Sequence, residues 1–348
     1  MPPPCLVTGS RIRTAHGDLA IEDIYAGDEI VVLRDGLETV ETVVWVGHRN
    51  LDLTAQPRPE MLVPVRVRAH AVADGQPARD LLVSQDHCLF LDGKCVPARL
   101  LVNGGSIAFE RHARAVTYHH IELGRHGIML AENLPTETYL DTGNRDQFSN
   151  ADGAVALRPT FALNAASDAW QTQACAPLAI APEQVRPIWA RLAERSAAFG
   201  LVPADLRTTA DADIHLTADG QALRPVSRQE GTIGFAVPAG VRSVSLDSRY
   251  FIPVDIASPW LGDTRRLGLR VSEIHIRSDA GEMVLAADDP RLTTGWYDAE
   301  SQDGATWRWT DGAAYLPMAG VSGAAVVTIR CKAADAYPLY EDALRRVA

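Results

Sequence analysis

The chain carries a cysteine close to its N-terminus, Cys5, and farther along it carries Ser84 and His87, separated by two residues in a strand-like segment. A cysteine that opens a domain can attack the carbonyl carbon of the preceding peptide bond and convert that amide into a thioester, an N-to-S acyl shift. The shift needs an acid that protonates the departing amide nitrogen, and a histidine beside a hydroxyl supplies a proton and a polarising hydrogen bond. These residue types indicate a cysteine nucleophile assisted by Ser84 and His87.

The elements that must position these residues are predicted to be almost entirely β. Short β-branched segments alternate with Gly- and Asp-containing turns through the N-terminal part of the chain, and two short helical turns are expected near residues 21–25 and 98–101. Turn formers then concentrate and the apolar periodicity lapses. We therefore predict three segments, listed as a first domain at 3–146, a linker at 147–154 and a C-terminal domain at 155–348.

The C-terminal domain is predicted to be β-rich and sandwich-like with one substantial helix. That helix is expected at 182–199, where Val185, Ile188 and Leu192 recur at helical spacing after Pro182 in the first turn. Strand patterns follow it, and a short polar helix is expected from about residue 340. The whole chain is thus mainly β.

Composition argues against several classes of protein, namely nucleic-acid binders, membrane proteins and disulfide-rich proteins. The formal net charge is −11, from 33 Lys and Arg against 44 Asp and Glu, and it is spread evenly, which disfavours nucleic acid and anionic lipid as partners. No apolar run of about 18 residues predicts a membrane span, and no signal peptide is apparent, so a cytoplasmic location is expected, with secretion by a non-Sec route left open. The five cysteines are irregularly spaced, which argues against a disulfide framework.

Four sequence blocks in chain order resemble the Hint family, the self-processing module shared by Hedgehog C-terminal domains and inteins, and specifically its bacterial members. The matching positions are Cys5, Gly9, Ser10, Ile12, Thr14 and Gly17; then 21–24 with Gly27 and Asp28; then Ser84 and His87; and finally 118–123 with His126, Ala131 and Glu132. The resemblance covers residues 3–146. It implies a compact all-β horseshoe that brings the two ends of the domain together.

The resemblance also implies roles for individual side chains. Cys5 would be the nucleophile, His87 the donor to the scissile amide nitrogen and Ser84 a polarising hydrogen bonder, with His120 or His126 assisting from the closing strand. No cofactor is expected. Splicing inteins end in His-Asn before Cys, Ser or Thr, and the corresponding stretch here, 130–135, departs from that ending. N-terminal autocleavage without splicing is therefore predicted, by a single-turnover cysteine autoprotease acting in cis on its own upstream segment.

Two alternatives stay open because only four residues precede Cys5. Processing from a start at Met1 would release a tetrapeptide, so either the natural precursor extends upstream or the activity is vestigial and the Hint fold is a scaffold. In the scaffold alternative the C-terminal domain binds a glycan or a protein partner. A thiol hydrolase acting in trans would use the same residues on an external substrate.

Other histidines and the tryptophans allow competing interpretations. A zinc site would need four converging ligands at a recognisable spacing such as C-x-x-C, which the sequence lacks, so no metal is expected. His119 and His120 are adjacent, so in a strand only one of them can face Cys5. Three aromatic residues are candidates for stacking on sugar rings, with packing inside the β core as the favoured alternative: Trp296, Trp307 and Trp309.

Overall fold

The computed structural model describes residues 3–151, 168–203, 207–256, 260 and 262–339. The chain forms two compact units, one of residues 1–204 and 258–262 and the other of residues 205–257 and 263–348. Both units are built mainly from β-strands, which confirms the predicted fold class. Within the described ranges, no helix combines the length and the apolar character needed to cross a membrane.

The first unit contains a sheet of thirteen antiparallel strands. The strands are β1 (Leu6–Val7), β2 (Arg11–Thr14), β3 (Gly17–Ala20), β4 (Glu29–Arg34), β5 (Leu37–Asp52), β6 (Val65–Val67), β7 (Leu81–Val83), β8 (Cys88–Leu91), β9 (Lys94–Pro97), β10 (Ile107–Phe109), β11 (Ala115–Leu123), β12 (Ile128–Ala131) and β13 (Leu134–Glu137). Four 3₁₀ turns connect them, at Ile21–Asp23, Pro59–Met61, Ala98–Leu101 and Arg145–Gln147. The sheet order is β10, β6, β7, β1, β11, β5, β4, β2, β12, β13, β8 and β9, with β3 beside β2.

Strand β1 is short, yet it lies between two strands that are distant in sequence. Leu6 pairs with Val83 of β7 on one side and with His119 of β11 on the other. Leu6 and Val83 are fully buried, so burial of apolar side chains stabilises this three-strand arrangement. Because Cys5 directly precedes β1, the pairing brings it to the end of β7 and against β11.

One long helix is present in the described part of the chain, α1 (Pro182–Ala198), and it confirms the helix expected from the apolar spacing. Val185, Ile188 and Leu192 are buried in the core of the first unit, and Trp189 donates its indole N–H to the Val102 carbonyl at 2.8 Å. A short helical stretch at 168–172 precedes it.

The sequence had grouped α1 with the C-terminal domain, and the structure corrects this grouping. The turn-rich segment after residue 140 ends the strand pattern, but residues farther along the chain still pack in the first unit. The chain returns to the first unit, where Leu178 forms a parallel bridge with Cys95 and Ala179 donates to the Cys95 carbonyl at 2.9 Å. The apolar stripe of α1 is then buried there, since an amphipathic helix must cover its apolar face.

The second unit contains three antiparallel sheets. Its strands are β14 (Thr208–Thr209), β15 (His215–Ala218), β16 (Gln221–Leu223), β17 (Ser227–Gln229), β18 (Thr232–Val237), β19 (Val244–Asp247), β20 (Arg270–Ser278), β21 (Gly281–Ala286), β22 (Trp296–Gln302), β23 (Ala305–Thr310), β24 (Ala313–Leu316), β25 (Ala325–Lys332) and β26 (Tyr337–Pro338). The sheets have the orders β16-β15-β19-β24, β17-β18-β25-β20-β23-β22 with β21 beside β20, and β14-β26. A short helix, α2 (Pro253–Ile256), follows β19. The polar helix expected from residue 340 lies outside the described residues.

Candidate functional site

Cys5 is fully buried, and Ser84 makes hydrogen bonds to both its backbone N–H and its carbonyl. The Cys5 N–H donates to Ser84 Oγ at 2.8 Å, and the Ser84 N–H donates to the Cys5 carbonyl at 2.8 Å. The Ser84 hydroxyl then donates its own proton to the Pro3 carbonyl at 3.0 Å. The nitrogen of the Pro4–Cys5 peptide bond is thus fixed by a side-chain hydroxyl.

Ser84 and His87 belong to a turn. Strand β7 ends at Val83 and β8 begins at Cys88, and the His87 N–H donates to the Ser84 carbonyl at 3.1 Å. This bond between the first and fourth residues is the signature of a β-turn. The sequence predicted a strand-like context here, whereas it is the tight turn that brings the serine and the histidine to the same end of the sheet.

His120 lies on β11 and makes the contact nearest to the scissile bond, because its Nδ1 hydrogen-bonds the Pro4 carbonyl oxygen. A carbonyl oxygen only accepts, so Nδ1 carries the proton. His120 is fully buried, and desolvation lowers its pKa to about 3, which keeps the ring neutral. The Pro4 carbonyl carbon is the atom that an acyl shift to Cys5 would attack.

The neighbouring histidine faces away from this bond. The His119 Nε2 lies 2.8 Å from Thr8 Oγ1, and its ring stacks loosely against His48 at 6.5 Å between centroids. Successive strand residues point to opposite faces, so the register of β11 separates the two adjacent rings. Of the two candidates, the structure brings His120 to Cys5.

His87 is fully buried beside His120, with ring centroids 5.2 Å apart. Neither of its ring nitrogens has a hydrogen-bond partner among the described residues. Its pKa is lowered well below the ordinary value, first by desolvation and then by the nearby His120 and His126 rings. His87 is therefore a neutral imidazole in a closed space, free to exchange a proton with a group that approaches it.

A buried carboxylate that the sequence analysis did not single out completes the cluster. Glu137 Oε1 lies 4.0 Å from His87 Nδ1 and accepts the Cys88 N–H at 2.7 Å, while Oε2 lies 3.8 Å from His126 Nε2. Burial raises the Glu137 pKa to about 7. Its sequence signal is weak, since one acidic residue in the segment 134–140 also suits an exposed strand position.

His126 contacts this carboxylate. Its Nδ1 accepts the Cys175 N–H at 3.1 Å, and its ring packs edge-on against Trp170. The structure thus places His126 beside Glu137, while its role at Cys5 stays a prediction.

The Cys5 thiol itself is not ionised at rest. Burial raises its pKa well above the ordinary value, and the Glu137 carboxylate raises it further, while Arg49 acts in the opposite sense. Cys5 is thus a neutral thiol next to a carbonyl that accepts a hydrogen bond from His120. Because only the thiolate attacks, ionisation of this thiol must precede any acyl shift.

The tryptophans proposed for ligand stacking lie in the second unit. Trp296 is buried and donates its indole N–H to the Tyr315 carbonyl at 2.8 Å. Trp307 is also buried, under the Arg270 guanidinium at 3.6 Å, and Trp309 is half-buried. Since sugar stacking needs an open ring face, burial of two of the three rings favours the interpretation in which they fill the core.

The buried histidines lead us to expect a loss of stability below pH 6.5. The pKa values of His87 and His120 are lower in the folded protein than in the unfolded chain, so acidification through the ordinary histidine range destabilises the fold. Glu137, whose folded pKa is raised to about 7, acts in the opposite sense, and one carboxyl against two imidazoles leaves a net loss of stability.

Urea unfolding at pH 6.5 and 5.5 measures this slope. His120→Asn removes one of the two destabilising imidazoles, so that variant should lose less stability between the two pH values than the wild type. A wild-type stability that is the same at both pH values would contradict the expectation.

Several solved structures resemble part of the chain, among them the three that follow, and no curated protein matches it. A bacterial intein-like domain from Clostridium thermocellum matches at 18% identity and TM-score 0.29, covering 40% of this chain and 99% of that one. A DnaB intein from Synechocystis sp. PCC 6803 matches at 9% identity and TM-score 0.29, covering 39% and 99%. The gp41-1 intein matches at 12% identity and TM-score 0.28, covering 38% and 97%. The family model of the Hint domain matches residues 4–143, and this N-terminal segment of the chain is therefore a Hint domain.

Proposed function

We propose that the Hint domain of this chain cleaves the Pro4–Cys5 peptide bond by an N-to-S acyl shift onto Cys5, without splicing. The observation that supports the proposal is a pair of hydrogen bonds to that one peptide group. Its carbonyl oxygen receives a hydrogen bond from His120, and its N–H donates to Ser84. Two side chains, one from strand β11 and one from the turn after β7, thus converge on the peptide group next to a buried thiol.

The first step needs no reactant besides the chain and water. The Cys5 thiol gives its proton to water, Cys5 Sγ then bonds to the Pro4 carbonyl carbon, and the carbon–nitrogen bond breaks with its electron pair moving to nitrogen. The amine takes up a proton from an acid, and a thioester remains between Pro4 and Cys5. Water or an added thiol then attacks the thioester carbonyl and releases the upstream segment, leaving a chain that begins with the Cys5 amine.

His120 and Ser84 supply electrostatic support at the two ends of the breaking bond. The His120 Nδ1–H already faces the oxygen on which negative charge develops in the tetrahedral intermediate. Ser84 fixes the nitrogen through its Oγ, and its own proton is committed to the Pro3 carbonyl. Full burial of Cys5 beside its own Pro4 carbonyl favours a substrate in cis over one supplied in trans.

The absence of splicing is supported at Asn133. Asn133 lies with Glu132 in the left-handed region of backbone space, at φ 65 and 48, in the two-residue turn between β12 and β13. Its side chain accepts from Arg13 Nη2 at 2.6 Å and donates to the Gly75 carbonyl at 3.0 Å. An amide held in this way closes a hairpin and is not placed at a second cleavage junction.

A fusion experiment tests the proposal. A foreign domain is joined ahead of Met1, once with the native junction and once with Pro4→Gly, because the His120 and Ser84 contacts use backbone atoms that both junctions keep. With dithiothreitol, intact mass should show the foreign domain ending at residue 4 as a thiol adduct, and a second product that begins at Cys5. The glycine junction should release faster, since a proline carbonyl is hindered.

A folded fusion that stays intact at both junctions would overturn the proposal. That result would favour the competing function, a vestigial Hint scaffold whose C-terminal domain binds a glycan or protein.

A further inference from the structure

Glu137 is a carboxylate buried inside the protein, an environment in which carboxylates are rare. It ends β13, is about 1% exposed, and lies between the buried rings of His87 and His126 at 4.0 and 3.8 Å. A buried carboxylate is costly unless hydrogen bonds, charge partners or protonation compensate for lost water. Here one oxygen accepts the Cys88 N–H, the Cys88 thiol also interacts with the carboxyl, and the two imidazoles lie on either side of it.

The proposed reaction needs an acid, and the neutral state of His87 does not by itself supply one. His87 is the ring next to His120, but its lowered pKa makes it neutral, and a neutral imidazole is a very weak acid. The leaving amine nitrogen nevertheless requires a proton. His120 does not supply it, because its Nδ1–H is directed at the Pro4 oxygen.

We propose that Glu137 is a positioning residue that keeps one proton available to His87, so that His87 acts as the acid toward the departing Cys5 nitrogen. This inference rests on the proposed acyl shift. The proton moves from Glu137 Oε1 to His87 Nδ1, and His87 gives the proton on its other nitrogen to the amine. A carboxylate and a neutral imidazole remain, so charge and protons balance.

His126 holds a proton on the far side of Glu137. Its Nδ1 accepts the backbone N–H of Cys175, so the proton of the neutral ring lies on Nε2, which is the nitrogen 3.8 Å from Glu137 Oε2. The 4.0 and 3.8 Å separations exceed hydrogen-bond length, and a shift of about 1 Å closes them, as is common for catalytic contacts at rest.

The electrostatic surroundings of Glu137 are set by several elements packed around it. The Glu137 pKa of about 7 means that the carboxyl is protonated in about half of the molecules at neutral pH. The titratable groups that face it come from β1, β8, β9, β11 and the loops beside them: Cys5, His87, Cys88, Cys95, His120, His126 and Cys175. Three charged side chains act on the cysteines of this cluster, Asp86 and Arg99 on Cys88 and Arg49 on Cys5.

The test is the pH profile of thiol-stimulated release from the fusion, at thiol concentrations where the rate no longer depends on thiol. For the wild type, the logarithm of the rate should rise with pH as Cys5 ionises and flatten above about pH 7 as Glu137 loses its proton. Glu137→Gln should be about 100-fold slower at pH 7, and its profile should rise through pH 7 without flattening.

Two further variants separate positioning from structure. Glutamine keeps the acceptor for the Cys88 N–H and matches the protonated carboxyl in shape, so the fold should persist in Glu137→Gln. Glu137→Asp retains a titrating carboxyl and should recover the flattening at an intermediate rate. Glu122→Gln is the control, since Glu122 is paired with Arg145 away from the cluster, and it should keep the wild-type profile.

The outcomes distinguish the two proposals. Wild-type release with an unchanged Glu137→Gln profile and a rate within threefold would overturn the role of Glu137 alone. A folded wild-type fusion that releases nothing at any pH would overturn the acyl shift and the role of Glu137 with it.

Discussion

Cys5→Ala is expected to abolish thiol-stimulated release of an upstream fused domain. The substitution removes the sulfur that accepts the Pro4 acyl group in the proposed reaction, while leaving the His120 and Ser84 contacts to backbone atoms in place. Release rates by gel and intact mass should fall to the background of spontaneous hydrolysis, and no thiol adduct ending at residue 4 should form. The fold should survive, because the change removes a single sulfur from a buried position.

Cys331→Ala is the matched control. Cys331 is partly buried on β25 of the second unit, so its removal tests the loss of a thiol without touching the site. Its release rate should equal that of the wild type. Release that persists at the wild-type rate in Cys5→Ala would show that another group cleaves the chain, and the proposed nucleophile would be wrong.

His120→Ala is expected to slow release by about 10² to 10³-fold, the usual cost of removing one preorganised donor to a developing oxyanion. The reason is geometric, since His120 Nδ1 is the group that hydrogen-bonds the Pro4 carbonyl. The measurement is the rate at a thiol concentration that no longer limits it. Thermal melting should accompany it, because truncation of a buried ring also leaves a cavity.

His119→Ala provides the control on the same strand. It removes a ring of identical chemistry that contacts Thr8 on the opposite face of β11, so its release rate should stay within a fewfold of the wild type. Equal losses in both variants would mean that the imidazoles act only through the stability of β11. A larger loss in His119→Ala than in His120→Ala would show that the oxyanion contact comes from the opposite face of β11, and the assignment to His120 would be wrong.

Local sequence determined much of this protein. β-Branched segments bounded by turns predicted the mainly β fold, and the spacing of Val185, Ile188 and Leu192 predicted α1, because strand and helix periodicities are properties of a few consecutive residues. The chemistry of a cysteine with a distant serine and histidine also indicated which side chains to examine. Structure then placed Cys5 and Ser84 in direct contact.

Only the tertiary structure decided which side chains meet. The register of β1 between β7 and β11 turned His120 toward the Pro4 carbonyl and His119 away from it, and a register is set by pairing between segments far apart in the chain. Glu137 became a candidate through burial between His87 and His126, which its own strand segment does not reveal. The unit in which α1 packs was likewise decided by long-range burial, since an apolar stripe indicates that a helix must be covered and not what covers it.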